Sequence, residues 1–389
     1  MENNRRKFIQ QSLATAAGVA AASIPSDLFA NPLHSTMRPT SVKASSTRPT
    51  QNRDSIRFSV IGLNHGHIYG MTQSLLDGGG ELVSVFAEEK DLLDAFVKRY
   101  PKVKIANSES EILEDNSIQL IASASIPSER APLGIRAMQN GKDYMADKPA
   151  IISLDQLSEV KRVQKETKRI FSIVYSERLR QPATVKAGEL VQSGAIGKVV
   201  QTIGLGPHRM RPQTRPDWFF DYSNSGGILT DIGSHQADQF LFFTGSTEAQ
   251  VLSSQVGNIN NQKYPKFEDF GDMMVSGNQG SGYIRIDWFT PDGLDTWGDG
   301  RLTILGTKGF IELRKYTDIG GRDGGNHLFL VNQKETIYMD CNEVYLPYGS
   351  QLVSDVVNRT ETAMTQAHCF LATELALKAQ EQASRLEMK

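Results

Sequence analysis

Residues 56 to 87 constrain the fold more than any other stretch of the chain. Ile56–Ile61 is a short β-rich run that ends on Gly62, and residues 68–76 then carry the apolar spacing of a helix. Three consecutive glycines at 78–80 stop that helix, and residues 81–87 form a second β-rich run. A strand, a helix and a strand joined this closely make a βαβ unit, with parallel strands and a right-handed crossover. The first connection reads Gly62-Leu63-Asn64-His65-Gly66-His67. It stands where a dinucleotide fold needs a tight turn and bare N–H groups at a helix N-terminus, which makes Gly62, Asn64, His65, Gly66 and His67 candidate cofactor contacts. The match to GxGxxG is partial, because Asn64 and His67 occupy the second and third glycine positions. A nucleotide cradle and a plain strand-to-helix turn both fit this loop. His65-x-His67 also has the look of a metal pair, but no carboxylate or third histidine lies near it in sequence, so no metal site is expected.

The pattern repeats downstream. The second run ends beside Glu88 and Glu89, where an acidic side chain accepts hydrogen bonds from ribose hydroxyls, which favours NAD while leaving NADP possible. A strand at 118–123, a helix at 132–140 closed by Gly141 and a strand at 142–146 follow, with Pro127 and Glu129 in the connection as further cofactor candidates. Strands alternating with helices give a parallel sheet with ligands at its carboxyl edge, and Asp147-Lys148-Pro149 lies at that edge.

Lys plus Arg number 42 against 44 Asp plus Glu, so the net charge of -2 offers no broad positive field for a nucleic acid. The two cysteines, Cys341 and Cys369, form no CxxC pair, which excludes a thiolate zinc site. Residues 1–30 read as a targeting segment. Asn4-Arg5-Arg6-Lys7-Phe8-Ile9-Gln10 resembles a twin-arginine export motif and precedes an uncharged but only mildly apolar stretch, which suits a cleaved signal better than a membrane anchor. A periplasmic or otherwise exported protein is expected. Residues 31–54, rich in Ser, Thr and Pro, read as a linker or extended arm.

The order of the glycine turn, Asp147-Lys148-Pro149 and then Gly226-Gly227-Ile228-Leu229-Thr230-Asp231-Ile232-Gly233-Ser234-His235-Gln236-Ala237-Asp238 resembles the glucose-fructose oxidoreductase / inositol dehydrogenase family, often called Gfo/Idh/MocA. The resemblance spans roughly residues 55 to 389. It implies an N-terminal Rossmann domain over 55–175 and a C-terminal α/β domain over 176–389, whose large, mostly antiparallel sheet supports a homodimer or homotetramer. Three later segments, 198–203, 281–288 and 301–313, read as strands, and 365–386 as a closing helix. The family's acidic ribose ligand aligns with Ala87, one position before Glu88.

Asp231 and His235 are four apart, so on one helix they share a face and can turn toward one substrate hydroxyl. An imidazole can take the hydroxyl proton, a carboxylate can orient it or hold a second hydroxyl, and the Lys148 ammonium can stabilise developing alkoxide character. The resemblance assigns catalysis to these three residues and places Arg178 near the nicotinamide. In the polar run 206–218, Arg215 and Trp218 are candidates for binding a sugar, since a Trp face packs on C–H groups while donors read hydroxyls. The expected protein is an exported oxidoreductase moving hydride between a tightly held NAD and a sugar, glycoside or polyol. An NAD-dependent glycosidase working by transient oxidation and elimination, and a non-catalytic sugar-binding protein on the same fold, are the alternatives.

Overall fold

A computed structural model of the chain describes residues 39–46 and 54–387. The proposed signal segment lies outside the described residues. Strand β1 (Thr40–Ser45) comes first and belongs to a sheet formed much later in the chain. The first complete sheet is parallel throughout, built from β2 (Ile56–Ile61), β3 (Gly80–Phe86), β4 (Lys104–Ile105), β5 (Leu120–Ser123), β6 (Asp143–Asp147) and β7 (Phe171–Val174), in the order β4-β3-β2-β5-β6-β7. Every residue of β5, β6 and β7 is buried, as expected of strands covered by helices on both faces. The helix His67–Asp77 buries Ile68, Met71, Thr72 and Leu75, one stripe at the helical period. It crosses the helix Tyr348–Asn358 at Gly78, where a Cβ would lie 2.5 Å from the Gly349 backbone.

The second sheet has ten strands. β8 (Val199–Pro207), β9 (Ala249–Gly257), β10 (Phe270–Gly277), β11 (Gly280–Asp287), β12 (Arg301–Gly306), β13 (Gly309–Arg314), β14 (His327–Asn332), β15 (Thr336–Glu343) and β16 (Ser384–Arg385) join β1 in the order β1-β15-β14-β13-β12-β8-β11-β10-β9-β16. The stretch 301–313 is a hairpin, β12 and β13, turned at Thr307 and Lys308. The sheet is mixed: β1 with β15, β8 with β11, and β9 with β16 run parallel. Its first pair lies within the stretch 31–54 expected as a linker or extended arm, where Thr40 to Ser45 add an edge strand to the same chain's sheet.

One face of this sheet receives the helix Gly233–Thr244. Gly204 and Gly206 of β8 make that possible, because a Cβ at either would run into Gln236 or Ile232. Two helices near the end of the chain, Tyr348–Asn358 and Gln366–Glu381, return to the first sheet. Tyr348 Oη meets Ser172 Oγ at 2.9 Å, and Tyr175 Oη meets Thr373 Oγ1 at 2.9 Å. The Gln366 amide accepts from Phe171 N–H at 2.9 Å and donates to Phe171 C=O at 3.3 Å, so one side chain satisfies backbone groups on the edge strand β7.

Candidate active site

The sheet order reverses between β2 and β5, and the crevice beyond the carboxyl ends of these strands is where open α/β sheets bind ligands. Two cavities lie there. The first, about 440 Å³, is lined by Gly62, Asn64, Ala87, Glu88, Glu89, Ser125 and Glu129, among others. Gly62 has φ +82°, and a Cβ there would lie 2.5 Å from Ser125 Cβ, so only glycine lets the β2 turn nest against the β5 turn. A Cβ on Gly66, the residue before the helix His67–Asp77, would meet nothing within 4 Å, which leaves that helix N-terminus open. Asn64 Nδ2 donates to Glu89 Oε1 at 2.5 Å, and Arg136 is held by Glu109 at 2.6 and 3.0 Å. Burial and then Glu89 and Glu88 raise the Glu129 carboxyl above its ordinary range, a sign of concentrated negative charge.

The second cavity, about 290 Å³, begins where the first ends: His65 and Pro127 line it, while their neighbours Asn64 and Ile126 line the other. Lys148, Asp231 and His235 all line it. Lys148 Nζ donates to Asp231 Oδ1 at 2.8 Å. The lysine follows β6 and is fixed through its backbone, since buried Arg130 donates to Lys148 C=O at 2.6 Å and to Ser125 C=O at 2.7 Å. Burial alone would raise the Asp231 carboxyl, but Lys148 holds it below the usual range by charge and hydrogen bond. Burial pushes His235 down to about 3 against the opposing charge of Glu177, with Lys148 reinforcing burial, so its imidazole is neutral near neutral pH. Asp231 and His235 do not share one continuous helix. Asp231 closes the turn Ile228–Asp231, which follows the positive-φ pair Gly226 and Gly227, and His235 sits on Gly233–Thr244 after a break at Ile232. Both residues still reach the same cavity.

Buried Asp147 accepts from both histidines of the glycine turn, His65 Nδ1 at 2.7 Å and His67 Nδ1 at 2.9 Å. One ligand atom from each of the three lies within 4.8 Å of the others. A carboxylate therefore does approach the His-x-His pair, 80 residues downstream of His67, and the reason for expecting no metal falls away. Burial and then His67 lower His65 to about 4, while Asp147 opposes the shift.

Arg215 and Trp218 line the second cavity, where the Arg215 guanidinium stacks 4.6 Å from the Phe219 ring and 5.0 Å from Trp288. Trp297 and Tyr316 complete an aromatic wall. Arg178 is a correction. Its guanidinium bonds Asp238 twice at 2.7 Å and packs 4.6 Å from the Phe242 ring, and it lines neither cavity. Its neighbour Glu177 takes the cavity-facing position. Sequence reasoning missed Glu177, Arg130 and His208, although Glu177 adjoins the arginine it singled out and His208 lies in the run 206–218.

A glycine turn that needs positive φ, an open helix N-terminus, an acidic recess and a cavity holding a lysine, a carboxylate and a neutral histidine define a dinucleotide-dependent oxidoreductase, and the residues present fit that cofactor. Residues 56–175 match the oxidoreductase family with an NAD-binding Rossmann fold, and residues 184–312 match the GFO/IDH/MocA C-terminal domain. The chain belongs to the GFO/IDH/MocA family and uses NAD or NADP. It is 27% identical over 263 residues to scyllo-inositol 2-dehydrogenase (NAD(+)) of Bacillus subtilis, covering 66% of this chain and 73% of that one. A solved protein of Erwinia carotovora atroseptica, described as an oxidoreductase, is 47% identical with a TM-score of 0.83, covering 85% of this chain and all of that one. Myo-inositol 2-dehydrogenase of Lactobacillus plantarum shares the fold at 18% identity and a TM-score of 0.67, covering 85% and 97%.

Proposed function

We propose that this protein oxidises a secondary hydroxyl of a sugar, glycoside or polyol, reversibly and with NAD, after export from the cytoplasm. One observation carries the reading: the Lys148–Asp231 pair and the neutral His235 share one cavity with an aromatic wall. The substrate ring lies against Trp218 and Trp297, which pack on its C–H faces. The bound nicotinamide supplies the hydride acceptor. Lys148 Nζ donates a hydrogen bond to the reacting oxygen and stabilises its growing negative charge, Asp231 keeps that ammonium in place, and His235 receives the proton. The inositol and sugar dehydrogenases among its relatives support a polyhydroxylated substrate.

Preference for NAD rests on the acidic recess. Glu88, Glu89, Glu109 and Glu129 all line it, and the one arginine there is held by Glu109, so a 2′-phosphate would meet uncompensated repulsion. A second reading, cleavage of a glycosidic bond after transient oxidation, draws support from His208. It lines the cavity as a second neutral imidazole beside His235, lowered to about 4 by burial and then Lys148. Export rests on Arg5 and Arg6, and among the described residues no helix is long and apolar enough to cross a membrane.

The test is to supply NAD and a panel of sugars, glycosides and inositols, follow reduced nicotinamide by its absorbance, and identify products by mass spectrometry. A keto product supports the oxidoreductase reading, free aglycone the second, and no turnover of any member with NAD or NADP defeats both. Replacing Arg5 and Arg6 by lysine should retain the precursor in the cytoplasm, and unchanged periplasmic yield would defeat the export reading.

A further inference from the structure

Glu177 is the second residue of a short helical turn, Ser176–Leu179, just after β7, and is 1% exposed although it lines the cavity of Lys148 and His235. One of its oxygens is firmly held. Oε2 accepts from Lys315 Nζ at 2.6 Å and from Gln236 Nε2 at 2.7 Å, and Lys315 Nζ also donates to Gln239 Oε1 at 2.7 Å. The other oxygen, Oε1, is buried with no hydrogen-bond partner, and so is Nδ1 of His235. An orphaned buried polar atom is costly, because its lost hydration goes uncompensated. Here two complementary ones occur on groups that line the same cavity: a carboxylate oxygen that only accepts, and an imidazole nitrogen that can carry a proton. Gln236, next to His235 on its helix, ties the carboxylate to that helix.

We propose that Glu177 Oε1 receives the Nδ1–H of His235, directly when ligand closes the cavity or through a single water, and so acts as a positioning residue for that imidazole. The consequence is tautomeric. With its proton on Nδ1, His235 presents Nε2 as a lone-pair acceptor. When the substrate O–H bond breaks and an Nε2–H bond forms, the resulting imidazolium gains the charge of Glu177 beside it, a division of labour known from hydrolase triads. The mutual electrostatics agree: Glu177 raises the proton affinity of His235 against burial, and burial of Glu177 is outweighed by Lys315 and then His235, leaving its carboxyl at about 2. The other groups acting on His235 are Lys148, His67 and His208, and the Tyr175 ring lies 6.4 Å away edge-on.

This inference rests on His235 being the proton acceptor, and the experiment separates the two. The full chain, carrying ¹⁵N-histidine, is compared by NMR with its Glu177→Gln variant, with His235→Gln locating the signals of His235. Wild type should show His235 as the Nδ1–H tautomer, and Glu177→Gln should shift it toward Nε2–H, because the new amide can donate. Turnover on the best member of the substrate panel should fall on the order of a hundredfold with KM changed less than about threefold. An unchanged His235 tautomer in Glu177→Gln overturns the proposal, and a raised KM alongside it assigns Glu177 to direct contact with substrate. If Glu177→Gln fails to fold, Glu177→Gln combined with Lys315→Met removes both buried charges and answers the same question. A tautomer shift in an enzyme whose His235→Gln form keeps full turnover leaves this proposal standing and defeats the role of His235 in proton transfer.

Discussion

The two cavities along the cleft hold charge in opposite ways. In the first, carboxylates crowd together with one arginine between them, and Glu129 is pushed toward its neutral form. Around the second, Lys148 faces Asp231, Lys315 backs Glu177, and Arg130 lies 3.5 Å from Asp147, while His65, His208 and His235 are held neutral. A recess of unbalanced acid suits a ligand that donates hydrogen bonds, as ribose hydroxyls do. A balanced cavity with neutral bases suits a proton that must leave one group and return. Under the proposed function, binding and chemistry are separated by only a few residues along the glycine turn.

The largest expected effect tests that separation. Lys148→Ala and His235→Ala should each lower turnover by at least about a hundredfold while nucleotide stays bound, since both act on developing charge or the moving proton. Turnover with the substrate panel and mass spectrometry of released nucleotide measure the two halves, and loss of nucleotide from either variant would merge the cavities into one functional unit. Next in size, Glu89→Ala should raise the KM for NAD about tenfold with kcat nearly unchanged, the loss of a charged hydrogen-bond acceptor. Its activity with NADP should rise relative to NAD, and an unaltered ratio would show that the acidic recess does not choose the cofactor.

A third effect concerns pH. His208 and His235 are depressed to about 4 and about 3, so between those values and about 6.5 the unfolded chain binds protons that the folded chain refuses. Stability therefore falls as pH drops through that window and is indifferent to these groups above it. For His208 the full difference is about 3 kcal/mol. Thermal melts at pH 5 and pH 7.5 should show the lower Tm at pH 5, and His208→Gln should narrow the gap; equal Tm values would mean the imidazoles are solvated. The smallest effect belongs to β1, in which only Ala44 is buried. A chain beginning at Ser55 should melt a few degrees lower yet retain nucleotide and oligomeric mass. Loss of nucleotide from it would tie the N-terminal arm to the cofactor cleft.

The Rossmann sheet was legible because its signal is local: β2, its glycine turn and the helix at 67–77 follow one another, and periodicity changes at each junction. That Lys148, Asp231 and His235 would meet in one cavity was legible through a motif order. What escaped was whatever needs distance. No local pattern announces that Asp147 will meet His65 and His67, that Arg130 will clamp the Lys148 backbone, or that Lys315 will lie under Glu177. Arg178 misled for a related reason, since adjacent residues on a helical turn point in different directions and only packing decides which faces the cavity. The edge strand β1 pairs with β15, far along the chain, so nothing local to it announces the pairing.

The Gln366 amide on the edge of β7 also bears on how the chain is made. The nucleotide-binding strands leave the ribosome early, but the side chain that satisfies Phe171, and the helices carrying Tyr348 and Thr373, come last. Wherever that sheet forms before the chain is complete, its rim is unguarded and available to any extended peptide nearby. Completion of the chain closes that rim, so a ribosome that stops short of the final helices releases a sheet primed for wrong partners.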